Sequence, residues 1–151
     1  MTIYLALKTI HILATSIWLG AAITTPADVR GALRLGPTHA EELLRRLRRT
    51  AKWMNLAGYA TILSGVGLIL ALGGWGAVPP RIHLGLALTL LIFAVGRYLI
   101  RPSIIGIGAA LREGALDRHA EGLAARITRG VWAEHALRLA VLLLMLVPFG
   151  F

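Results

Sequence analysis

Cysteine is missing from all 151 positions, and acidic residues are scarce, seven against sixteen lysines and arginines. The first absence excludes disulfides, thiolate metal sites, iron-sulfur clusters and covalent c-type haem attachment. No P-loop, dinucleotide fingerprint or HExxH motif occurs, and no pair of carboxylates falls inside an apolar segment, which argues against nucleotide-driven and hydrolytic chemistry. Low-complexity tracts and internal repeats are also lacking. What abounds is apolar surface. At 57% hydrophobic residues and a mean hydropathy of +0.73, the chain is too apolar for an ordinary soluble domain of this size, so much of it is expected to face lipid.

A hydrocarbon core roughly 30 Å thick needs about 20 residues of helix, because irregular backbone facing lipid leaves peptide groups unpaired. Four stretches meet that length: residues 3–25, 53–72, 82–100 and 131–151. The first has the position of a signal peptide, but Lys8 and His11 interrupt its apolar run and no convincing cleavage site follows, so it reads as a span. The expected architecture is all-α, one transmembrane domain folded as an antiparallel four-helix bundle.

The formal charge of +9 does not imply nucleic acid, since neither base-stacking aromatics nor a groove-reading helix accompanies it. The basic residues cluster between spans instead. Seven lie in 26–52 (Arg30, Arg34, Arg45, Arg46, Arg48, Arg49, Lys52) and five in 101–130 (Arg101, Arg112, Arg118, Arg126, Arg129), whereas the loop 73–81 holds only Arg81. The positive-inside rule then places both termini outside a cell membrane, with Trp53, Trp75 and Tyr4 suited to the interfaces. Residues 39–52 read as a charged extension of the second span, and 104–127 as an amphipathic helix lying on the inner leaflet. Gly73, Gly74, Pro79 and Pro80 mark a short outer turn.

Ionisable groups within spans mark sites or pairs. Tyr4, Lys8, His11, Thr15, Trp18, Ala22 and Thr25 recur at steps of four and three, one polar stripe facing partner helices. His11 has two readings: a buried histidine bonded to a carbonyl or hydroxyl of another helix, or a haem ligand in a site built from facing helices. Counting about 1.5 Å per residue, His11 lies roughly 12 Å below the outer edge, His83 at that edge, and His135 within about 6 Å of the inner edge. A symmetric histidine pair is disfavoured; Met145, roughly 9 Å from the outer edge, matches His11 best, although methionine among leucines is commonly a gap-filler. Lys8 and Arg81 are candidates for binding haem propionates, and His83 for the same site or a plain interfacial role. A second group, Arg97, Glu134, His135 and Arg138, stands near the inner side, where Glu134 and Arg138 are spaced to pair along one helix.

The run LALKTIHILATSIWLG, residues 5–20, followed by Pro26, resembles the first span of the HemJ and copper-resistance-D-like membrane proteins, which share a histidine, six residues, then tryptophan and small residues. The likeness extends weakly through RRLRRTAKWMNLAGYATILSGVGLIL and RIHLGLALTLL. It implies a small helical membrane bundle. For the HemJ branch it implies haem b with His11 as ligand and an oxidoreductase acting on protoporphyrinogen. HemJ proteins carry a lysine near the start of the third span, where this chain, aligned on His83, has Gly85. The copper branch implies copper handling, for which several soft donors together are wanted.

The leading expectation is thus a haem-b redox protein of the membrane, with Trp18 beside His11 and a quinone or another redox partner exchanging electrons. Copper or small-solute passage along the first-span stripe, and a cofactor-free accessory subunit of a larger complex, are the alternatives. Gly65 and Gly67 permit close helix packing or a homo-oligomer.

Overall fold

A computed structural model describes residues 2–20 and 24–146. It is helical, with no strand among the described residues: α1 Thr2–Gly20, α2 Thr25–Leu35, α3 Pro37–Ala71, a 3-10 turn Trp75–Ala77, α4 Pro80–Val95, a wide π-type turn Gly96–Ile100, α5 Arg101–Arg112 and α6 Leu116–Leu146. Ala22 of the first-span stripe and the last five residues of the fourth expected span lie outside the described residues.

Prolines and glycines punctuate the helices. Pro26, Pro37, Pro80 and Pro102 sit in first turns, where the missing N–H has no intrahelical partner to lose. Gly36 (φ 101°) separates α2 from α3 and Gly114 (φ 63°) separates α5 from α6, backbone conformations that disfavour a Cβ. Pro102 also accounts for the wide turn before it. Its ring would collide with the carbonyl of Tyr98 in regular helix, and the Arg101 N–H instead donates to Gly96, five residues back.

Three helical stretches are long and apolar enough to cross a membrane: Thr2–Leu35, Pro37–Ala71 and Pro80–Arg112. The fourth expected span does not reach that standard on its described residues, because α6 carries Glu134 and Arg138 in its second half and is described only to Leu146.

α1 runs antiparallel to α3. Leu7, His11 and Trp18 lie against Gly67, Gly65 and Gly58 in turn, glycines whose missing side chains admit the larger partners. α4 and α6 pair in the same sense, with Met145 against Gly85 and Glu134 against Gly96. A core of Trp18, Ala57 and Ile92, with Phe93 and Val141 packed on it, joins these pairs.

The segments expected to lie on the inner leaflet do something else. α2, the first turns of α3, α5 and the start of α6 bury their apolar stripes against one another around Val29, Leu43, Ile107 and Ile127. These four side chains are at most 1% exposed, so the stripes form a protein core of their own, a helical cap, rather than facing lipid. Residues 104–127 are likewise not one helix, since Gly114 breaks the run.

Candidate functional site

α1, α3, α4 and α6 surround a cavity of about 620 Å³, within the roughly 300–1,000 Å³ typical of ligand and cofactor sites. Its wall is mostly apolar. His11 stands midway along α1, flanked by Lys8 one turn toward the N-terminus and by Thr15 and Trp18 toward the other end. Steps of three and four put these residues on one helix face, and the same face carries Tyr4.

His11 is oriented by α3. Its Nδ1–H donates to the Thr61 carbonyl at 3.0 Å and lies 3.1 Å from Ser64 Oγ. Ser64 gives its own proton to the Ala60 carbonyl at 2.5 Å, so its oxygen is available to share the imidazole hydrogen. A carbonyl only accepts, so in the neutral ring the proton is on Nδ1 and the lone pair is on Nε2. Gly65 makes the approach feasible, because a Cβ there would sit 3.2 Å from His11 Cε1. Thr15 reaches Thr61 Oγ1 at 3.5 Å, which extends the polar seam by one turn.

The end of the cavity away from Lys8 is formed by Trp18, Thr89 and Arg138. Trp18 stacks on Phe93 with centroids 5.7 Å apart, and the Arg138 guanidinium lies 5.1 Å from the Trp18 ring centre. Arg138 Nη2 donates to Glu134 Oε2 at 2.6 Å, the helical pairing that their spacing predicts. Arg138 Nε is buried with no hydrogen-bond partner among the described residues.

Of the residues singled out in the sequence, Lys8, His11, Trp18 and Met145 line this one cavity. Met145 places its methyl over Gly85, where a Cβ would come within 2.6 Å of it, so this glycine is the floor on which the methyl rests. Arg81 and His83 do not line the cavity. His83 is exposed and packs near Trp75 with ring centres 5.8 Å apart, while Arg81 is half-buried at the start of α4. The inner group divides too: Arg138 belongs to the cavity, His135 lies behind it with Nδ1 3.5 Å from Arg138 Nη1, and Arg97 is exposed beside Tyr98.

The sequence reading overlooked Thr61 and Ser64. Ala57, Gly58, Thr61, Ser64 and Gly65 form a stripe of small residues inside an apolar span, the composition that lets two helices close to hydrogen-bonding range. Among the described residues no group of three or more His, Cys, Asp or Glu assembles.

No protein-family model, curated protein or solved structure matches this chain.

Proposed function

We propose that this chain is a multi-pass protein of the cell membrane that binds haem b between its four long helices and takes part in electron transfer, with His11 Nε2 as an axial ligand. The observation that carries the reading is the pair of contacts at His11 Nδ1, on the wall of a largely apolar cavity. Histidines that ligate metals commonly donate their other ring N–H to a carbonyl or carboxylate, which fixes the tautomer and raises ligand basicity. A porphyrin supplies four nitrogens itself, so a site with one histidine and one thioether suffices.

Met145 is the proposed second ligand, since it is the thioether that lines the same cavity. Lys8, at one end of the cavity, is the group suited to the haem carboxylates, both of which leave the porphyrin from one edge. Bound haem would supply a one-electron couple, and the surrounding chain would set its potential through its ligands, burial and the Lys8 charge. The membrane arrangement belongs to the same proposal: an antiparallel four-helix bundle, termini outside, with the basic helical cap on the cytoplasmic side as the positive-inside rule requires.

The test is a spectrum. The full chain is purified in mild detergent from cells supplied with haem precursor, and absorbance is recorded before and after dithionite. Wild type is expected to show a Soret band that sharpens and moves on reduction, and His11→Ala to lose or displace it. Wild type without a Soret band refutes the haem reading, and an unchanged band in His11→Ala refutes the ligand assignment alone.

A further inference from the structure

The cap carries a second concavity, a groove of about 600 Å³ between α3 and α5. Its walls present Arg45, Arg48, Arg49 and Lys52 from α3 and Arg112 from α5, against a single carboxylate, Glu41. Arg45 is paired with Glu42. Arg48, Arg49, Lys52 and Arg112 have no ion pair among the described residues. Arg112 folds back along its own helix over Gly108, where its Nη1 would lie 3.8 Å from a Cβ and Leu44 Cδ1 3.7 Å from it. The buried cap residues Leu43, Leu44, Ile107 and Ala110 hold the two helices together beneath this charge. Uncompensated cations in a concave wall focus a positive potential and favour an anion.

Depth identifies the kind of anion. Trp53 on α3, Tyr98 in the wide turn and Trp132 on α6 are 65, 69 and 61% exposed. Gly58 meets Phe93, Gly96 meets Glu134 and Gly130 meets Ile100 across the helix pairs. Counting about 1.5 Å per residue from those contacts brings the three exposed aromatics to one level, within about a turn. A ring of aromatic side chains at one level is the mark of a membrane interface. Lys52 lies directly beyond it, and Arg49 and Arg48 follow within about 8 Å. The headgroup layer on each side of a bilayer is on the order of 5 to 8 Å thick, so these cations stand where lipid phosphates are.

We propose that the groove between α3 and α5 is a binding site for the phosphate of an anionic phospholipid headgroup. Arg48 and Arg49 offer planar pairs of N–H donors for the phosphate oxygens, Lys52 adds a point charge at the edge nearest the hydrocarbon, and Arg112, level with Leu44 about 13 Å beyond Trp53, closes the far end of the groove and adds to its positive potential. The site requires the membrane insertion proposed above but no haem.

Insertion and headgroup recognition are tested separately. The full chain is first reconstituted with dioleoyl phosphatidylcholine vesicles and washed with alkaline carbonate. Protein that stays with the vesicles is inserted, and protein that is stripped off refutes both insertion and the lipid site. In detergent, dioleoyl phosphatidylglycerol is then titrated against the melting temperature of wild type, of Arg48→Gln/Arg49→Gln/Arg112→Gln, and of Arg118→Gln/Arg126→Gln/Arg129→Gln. The last variant has the same change of net charge outside the groove.

Wild type and the outside variant are expected to be stabilised with half-saturating lipid concentrations within twofold of each other, and the groove variant to need at least tenfold more. Equal loss in both variants shows generic attraction to charge and overturns the site. Equal stabilisation of wild type by phosphatidylcholine overturns it as well. The same shift with inorganic phosphate alone identifies a free-phosphate site and overturns the lipid.

Discussion

Replacing Arg138 by leucine should cost far more than replacing Arg138 and Glu134 together. The pair is joined at 2.6 Å with side chains only 3% and 9% exposed, so each charge depends on the other for compensation. Arg138→Leu leaves a buried carboxylate, a penalty of about 3–5 kcal/mol. It also removes the guanidinium 5.1 Å from the Trp18 ring, a contact that contributes about 2 kcal/mol when desolvated. Glu134→Leu strands the guanidinium at a cost of the same order. In the double variant no charge remains, apolar side chains of similar bulk fill the space, and the net change should stay within about 2 kcal/mol of wild type, the Trp18 contact being the main loss. The two single costs then sum to at least ~6 kcal/mol, a strong failure of additivity. The assay is reversible unfolding in mixed micelles of dodecyl sulfate and a mild detergent, followed by circular dichroism on all four proteins. A single Arg138→Leu cost below about 1 kcal/mol, or a double cost equal to the sum, would mean that water reaches the pair and would refute the argument.

Three smaller perturbations probe other contacts. Gly58→Ala introduces a Cβ 2.6 Å from Phe93 Cζ and 3.3 Å from Trp18 Nε1, and crowding of a stacked pair should lower stability by about 1–3 kcal/mol, read as a reduced melting temperature. Gly31→Ala, inside α2 with nothing within 4 Å, should raise stability by about 0.5–1 kcal/mol in the same measurement; a decrease would show that the cap is packed differently. Ser64→Ala removes one of the two acceptors at His11 Nδ1 and should weaken haem retention by about tenfold or more, measured as transfer to apomyoglobin, while His11 stays ligated in the spectrum.

Much of this arrangement is legible in the sequence where periodicity and chemistry coincide. The spacing of Lys8, His11 and Trp18 places them on one face, rise per residue puts Met145 near the depth of His11, and all four line one cavity. Glu134 and Arg138, four apart, pair as expected. What periodicity does not encode is where an amphipathic stripe finds its partner. The apolar faces of α2 and α5 look alike whether lipid or protein covers them, and only the meeting of Val29, Leu43, Ile107 and Ile127 decides for protein. Arg138 stands in the sequence with Arg97, Glu134 and His135 as one inner group, yet it lines the cavity that holds His11. Counted along the helices from the contact of Gly96 with Glu134, its backbone is level with Trp18 at the cavity's end.

The proline behind the wide turn also sets a phase. Gly85, Thr89 and Ile92, buried in α4, and Ser103, Ile107 and Ala110, buried in α5, would fall on a single continuous stripe at ordinary helical spacing. A turn closed five residues back instead of four inserts a lag of roughly a quarter turn between the two halves. One rod therefore serves two cores on different bearings: α6 touches both halves, but only beyond the turn does the buried side swing round to reach Leu43 and Leu44 of α3. Pro102, at the border of the two cores, marks the point at which one uninterrupted chain segment changes the side that it buries.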